Sequence, residues 1–393
     1  MMKIVNQQPN MQYRRFGRTD RWLSTITLGG MRYHENWSEP RDEPTPQMID
    51  QCADILTRAF DKGVNHIETA YGYGRSEYCH GIVLNDVLGW KRDQYLLMTK
   101  GTADSADAIR RRVEEQLIAL KTDHIDLYGW HGINNQNNLA SATRSGGPVE
   151  ELLKMKQEGI IGDLGFSTHA PLEVIIDAIA TDLFSFVNLH YYYFMQRNLG
   201  AVEYAAAKGL GVFIISPNDK GGKLYEPSKK LAKLCAPLTP IQFNARWCLS
   251  NQNIHTLSFG LSEPSHIEEM MGIFPFTVPL SLEDQKITQR MNEAQLKDPT
   301  SAWHGFEFAN DPSGINIPEI LRMHRMWKCY DQTSFGEMRY NMFDENCEWF
   351  WGRFATPEAI SEVDTSSTIA SVDVAKYLKE AHERFYLPEE QKS

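Results

Sequence analysis

The sequence predicts a (β/α)8 barrel. Three observations carry that expectation. Eight short apolar runs recur between residues 25 and 272. Helical patterns separate them. The whole alternation occupies about 250 residues, the usual extent of such a barrel. A doubly wound sheet is the structural alternative, and the count of eight runs favours the barrel.

The elements follow in order. "MQYRRFGRTDRWLS" (11–24) reads as a hairpin that could plug the barrel floor. The strands expected next are "TITLGG" (25–30), "HIETA" (66–70), "YLLMTK" (95–100) and "IDLYGWH" (125–131). They continue with "IGDLGFS" (161–167), "FSFVNLH" (184–190), "GVFIIS" (211–216) and "IHTLSF" (254–259). Most are apolar without strict alternation, as strands buried on both faces must be. "TPQMIDQCADILTRAFDKG" is read as a helix with Ile49, Cys52, Ala53, Leu56, Ala59 and Phe60 on one face. Thr45 is its expected cap, Pro46 its first residue and Gly63 its stop. "SADAIRRRVEEQLIALKTD" and "GPVEELLKMKQEG" behave likewise. The barrel is expected to fill residues 1–295 and a small, mostly helical domain 296–393.

Hydrophobic residues make up 42% and charged residues 23%, which places the chain among soluble globular proteins. A net charge of −11 argues against nucleic-acid binding, which needs a basic face. No apolar run approaches the roughly 20 residues of a membrane helix. The first residues lack the apolar core of a signal peptide, so a cytoplasmic location is expected. The six cysteines contain no C-x-x-C pair and suggest no disulfide framework.

In a barrel the chemistry lies at the carboxyl ends of the strands. Those ends carry Glu68, Lys100 and His131, with Tyr73 just beyond the first of them. The four types form a coherent acid–base set. A tyrosine titrates near about 10, and a neighbouring ammonium lowers that value. A carboxylate can hold the lysine, and a histidine can orient a carbonyl oxygen. Taken singly, each has a plainer reading: a solvated lysine, a salt-bridge partner, a satisfied core histidine. A metal site is not expected, because His131 has no ligand at metal spacing beside it.

At these residues the chain resembles an aldo-keto reductase. "IETAYGYGRSE" is similar to the D-T-A-x-x-Y-G-x-S-E signature of that family, with Glu68 where the family has Asp. "LLMTKG" is similar to its lysine strand and "HIDLYGWHG" to its I-D-L-Y-x-x-H strand. The likeness runs through "GDLGFSTH" and "GLGVFIISPNDKGGKL" to "IHTLSFGLSEPSHIEEMM", covering roughly residues 11–275. It implies NAD(P)H-dependent carbonyl chemistry on a small-molecule carbonyl substrate. Tyr73 would be the proton donor, Lys100 would lower its pKa, His131 would orient the carbonyl, and Glu68 would stand in for Asp.

The resemblance also implies a cofactor side. Ser167, His169 and Asn188 correspond to residues that contact the nicotinamide amide, and Tyr191 offers a ring to stack on it. "SPNDKGGKL" (216–224), with Ser216, Asn218, Lys220 and Gly221, suits a pyrophosphate. His266 stands where relatives that prefer NADPH carry a cation, and Glu269 fits an adenine contact. NADPH is the expected cofactor and NADH remains open. A nucleotide-binding scaffold or sensor with little turnover and an epimerase-type reaction remain alternatives, and homo-oligomerisation is left open.

Residues 311–343 resemble the tail of a reductase branch that carries a ferredoxin-like 4Fe-4S domain. A cluster normally takes four thiolates. The tail has only Cys329 and Cys347, so no iron–sulfur cluster is expected. Trp349, Phe350, Trp351 and Phe354 would fill the space instead.

Overall fold

The computed structural model describes residues 4–33, 40–303, 311–341, 352–366 and 372–388. Cys347, Trp349, Phe350 and Trp351 lie outside the described residues. The chain forms two compact units. The first comprises residues 1–190, 200–217 and 248–279, and the second 191–199, 218–247 and 280–393.

The first unit opens with an antiparallel hairpin, β1 (Tyr13–Arg15) and β2 (Trp22–Ser24), in which Tyr13 faces Ser24. Eight parallel strands follow. They are β3 (Ile26–Gly29), β4 (His66–Glu68), β5 (Leu96–Gly101) and β6 (Ile125–His131). The rest are β7 (Ile161–Ser167), β8 (Phe186–Leu189), β9 (Gly211–Ile215) and β10 (Thr256–Gly260). They close in the order β10-β3-β4-β5-β6-β7-β8-β9. The expected barrel is the observed one.

The hairpin reaches the barrel interior. Phe16 and Leu23 pack with Leu96, Met98, Leu127, Phe186 and Phe213 in one buried cluster. Gly17 makes the approach possible. Its φ is +56°, and a Cβ there would lie 2.3 Å from the Gly211 nitrogen.

Helix 46–61 starts as its sequence dictates. The Thr45 side chain accepts from the Met48 amide at 3.2 Å, and Pro46 occupies the first turn. Its buried face is Met48, Cys52, Ile55, Leu56 and Ala59. Ile49, Ala53 and Phe60, expected on that face, are half-buried at its edge. β4 also ends earlier than expected, at Glu68. Its hydrogen bonds to β5 nevertheless continue, from Thr69 N to Met98 O and from Tyr71 N to Lys100 O.

The second unit is helical among its described residues. Helices Ile317–Tyr330 and Val374–Phe385 share a core of Ile320, Leu321, Phe335, Tyr340, Leu378 and Phe385. Buried ion pairs join Arg322 to Asp219 and Arg325 to Asp298. No helix among the described residues is long and apolar enough to cross a membrane.

Candidate active site

Glu68, Lys100 and His131 stand at the carboxyl ends of three consecutive strands, β4, β5 and β6. Glu68 is 3% exposed and Lys100 1%. Lys100 Nζ is paired with Glu68 Oε1. The Tyr73 hydroxyl donates to the same Oε1 across 3.4 Å. Lys100 Nζ also lies 4.8 Å from the centre of the Tyr73 ring. The Tyr73 and His131 rings meet edge to face, 5.7 Å apart. The four residues singled out from the sequence are thus gathered in one place. The second oxygen of Glu68 accepts from Ser258 Oγ at 2.9 Å.

Burial sets the electrostatics. It pushes the Tyr73 phenol above its ordinary value, so the hydroxyl holds its proton at neutral pH. It pulls the Lys100 ammonium down to about 7, against the opposing pull of the Glu68 carboxylate. Burial, aided by the charge of Lys100, lowers His131 to about 3. His131 is therefore a neutral imidazole, able to donate or accept without carrying charge.

The loop after β4 is held from outside the barrel. The Tyr71 ring lies between two guanidinium groups, with Arg41 Cζ 3.6 Å and Arg112 Cζ 3.4 Å from its centre. Arg41 is paired with buried Glu77 at 2.8 Å. Glu77 accepts from Gln116 Nε2 at 2.6 Å, and the same nitrogen donates to the Lys100 carbonyl at 3.1 Å.

The residues expected to face nicotinamide continue the row begun by His131. His131 pairs with Ser167 across β6 and β7, and Ser167 with Asn188 across β7 and β8. Asn188 is fully buried. Its Nδ2 meets Met98 Sδ at 3.9 Å, while its Oδ1 has no hydrogen-bond donor among the described residues. A buried amide oxygen left so is costly unless a ligand supplies a donor, and a carboxamide N–H fits. His169 follows β7; its ring contacts His190, Nδ1 to Nε2, at 2.8 Å. Ser216, just after β9, adopts a left-handed φ of 54°.

His266 and Glu269 are half-buried on helix Ser265–Met271. Burial, with Arg32 nearby, lowers the His266 pKa, which weakens it as a cation. Tyr191, Asn218, Lys220 and Gly221 belong to the second unit. Tyr191 is buried with its ring 5.4 Å from that of Trp247. The Asn218 carbonyl accepts from Leu224 N at 3.1 Å. The turn Lys220–Tyr225 follows, and the side chain of Lys220 lies outside what the structure describes.

Sequence reasoning missed Ser258, His190 and Arg32. Ser258 sits in a run read as apolar, and a lone hydroxyl there was the available signal. His190 is the last residue of the run 184–190, and nothing in the sequence pairs it with His169.

A barrel that brings a tyrosine, a lysine, a neutral histidine and a carboxylate together at its strand ends has the parts of an enzyme that moves protons. Residues 25–293 match the Aldo/keto reductase family, and the chain belongs to that family. With it comes the enzyme class, an NAD(P)H-dependent oxidoreductase. The chain is similar to L-galactose dehydrogenase of Arabidopsis thaliana, 23% identical over 275 residues, covering 62% of this chain and 84% of that one. It is 28% identical over 163 residues to D-arabinose 1-dehydrogenase of Saccharomyces cerevisiae, covering 39% of this chain and 45% of the relative. Among solved structures, an aldo-keto reductase from Bacillus halodurans in its holo form superposes with a TM-score of 0.58 at 20% identity. That alignment covers 71% of this chain and 96% of the other, and it shows the shared fold.

Proposed function

We propose that the protein transfers a hydride between NADPH and the carbonyl or hydroxyl carbon of a small sugar-like substrate. The observation that carries this reading is the convergence of Tyr73 and Lys100 on one oxygen of Glu68. The bound dinucleotide supplies or receives the hydride. In the direction of reduction Tyr73 donates its phenolic proton to the carbonyl oxygen. Lys100 stabilises the phenolate left behind, and Glu68 keeps the ammonium in place. Neutral His131 donates to the carbonyl oxygen and orients it. The orphaned Asn188 Oδ1, aligned with Ser167 and His131, supports a carboxamide-bearing cofactor. Ser216, His266 and Glu269 in the first unit, and Tyr191, Asn218, Lys220 and Gly221 in the second, are the further cofactor contacts that the family likeness suggests. NADH is the alternative cofactor, since His266 is weakened as a phosphate partner.

The sugar-like substrate is supported by relatives whose names are L-galactose dehydrogenase, D-arabinose 1-dehydrogenase and 6-dehydroglucose reductase. We further infer that the tail descends from a cluster-bearing ferredoxin-like module. Its sequence likeness supports this, as does a core now built from aliphatic and aromatic side chains.

The test is a screen of aldoses, keto-sugars and simple aldehydes with each reduced or oxidised cofactor, following the absorbance of the reduced form. Turnover of a sugar in either direction supports the reading. Tight nucleotide binding with no turnover across the screen would leave a binding scaffold instead.

A further inference from the structure

Ser258 lies inside β10, 6% exposed, and its Oγ donates to Glu68 Oε2 at 2.9 Å. The two residues are not on neighbouring strands. β3 runs between β10 and β4, and the hydrogen bond crosses it at Gly29, which pairs in register with Glu68. A Cβ on Gly29 would lie 2.8 Å from Ser258 Oγ and 3.3 Å from Glu68 Oε2. The backbone of β3 is therefore bare where its two neighbours reach across it. The two oxygens of Glu68 have separate duties: Oε2 takes Ser258, and Oε1 takes Lys100 and Tyr73.

A glutamate carries one more rotatable bond than an aspartate. Unanchored, it can swing its charge away from Lys100, and holding it costs conformational entropy. A buried carboxylate oxygen without a donor also pays a desolvation penalty. One hydroxyl on the far oxygen answers both. The flanking histidines do not compete for the carboxylate. His66 on β4 bonds to Thr27 Oγ1, and both His66 and His131 are kept neutral by burial.

We propose that Ser258 is a positioning residue of the proton-relay site: it anchors the long acidic side chain by its outer oxygen, across the bare backbone of Gly29, so that the inner oxygen stays on Lys100 and Tyr73. The inference rests on the relay role assigned to Tyr73, Lys100 and Glu68. It accounts for how a glutamate can occupy a place that the family gives to an aspartate.

The test is a double-mutant cycle of Ser258→Ala with Glu68→Asp. Ser258→Ala alone should lower kcat about tenfold, the scale of one hydrogen bond to a charged group, with KM unchanged. The alkaline limb of its kcat profile should move down by about one pH unit, because a less firmly held carboxylate keeps the Lys100 proton less well. Ser258→Thr, which retains the hydroxyl, should restore both. In the Glu68→Asp background the shorter acid does not reach Ser258, so Ser258→Ala should change neither rate nor profile. The thermal midpoint of the cofactor-free proteins gives the same cycle without turnover. Equal effects of Ser258→Ala in both backgrounds, in rate and in midpoint, would overturn the proposal. If no variant or wild type turns over any substrate, the proposed function fails. The midpoint cycle then decides the positioning role alone: non-additivity supports it and additivity overturns it.

Discussion

Tyr73 and Glu68 are in direct hydrogen-bonding contact, the phenol donating to Oε1 across 3.4 Å. The same oxygen is paired with Lys100. The acidic side chain therefore touches the proposed proton donor as well as the ammonium that assists it, and its replacement disturbs two partners at once.

Tyr73→Phe should leave cofactor affinity nearly unchanged and lower the rate at least about 100-fold, the span that general acids supply. Single-turnover kinetics beside a fluorescence titration of the cofactor separate the two. Near-normal turnover would pass the donor role to another group.

Glu68→Gln should cost more than Glu68→Asp. The amide leaves Lys100 buried without its counter-charge, a loss of about 3–5 kcal/mol in stability. The aspartate keeps the charge and loses reach. Chemical denaturation of the three proteins, with their rates, orders them. A Glu68→Gln protein equal to wild type in both would make the carboxylate a bystander.

Stability should fall as pH drops from neutrality. Burial holds His66 and His131 at about 3 and His80 and His255 at about 4, all below the unfolded value of about 6.5. The sign follows from proton binding. A folded pKa lowered in this way contributes stability above the unfolded pKa, and that stability is lost as pH falls through the window from about 6.5 towards the folded value. Between pH 6.5 and 5 each histidine accounts for up to about 2 kcal/mol. Thermal midpoints measured from pH 7.5 to 5 should decline steeply, and a flat curve would contradict the buried neutral imidazoles.

Asn188→Ala should weaken binding of the nicotinamide cofactor about tenfold, by removing a buried amide whose oxygen has no donor among the described residues. Quenching of tryptophan fluorescence on titration reads it. An unchanged dissociation constant would place the carboxamide elsewhere.

Anaerobically purified protein should be colourless and free of stoichiometric iron, since Cys329 and Cys347 cannot supply four thiolates. Broad visible absorbance with bound iron would refute that.

The barrel was legible because its strands are buried on both faces and so read as continuous apolar runs. β6 and β7 coincide with the runs at 125–131 and 161–167. Tyr73, Lys100 and His131 were legible as polar residues stranded at the ends of such runs. Ser258 and Gly29 were not, because their meaning depends on β10 closing against β3, a contact between residues far apart in the chain. The clamp on Tyr71 escaped for the same reason, as it joins Arg41, Tyr71 and Arg112 from three separate segments of the chain. The exact buried face of helix 46–61, which includes Ile55 but not Phe60, was likewise not fixed by periodicity alone.

Tyr71, two residues before the proposed proton donor, is gripped on both faces of its ring by Arg41 and Arg112. Ordering a loop residue costs about 1–2 kcal/mol of conformational entropy. Here that cost is met once, during folding, rather than at each encounter with substrate. The two cationic contacts thus tie down the residue two positions before Tyr73. A side chain ordered before substrate arrives leaves less conformational entropy to be lost on binding.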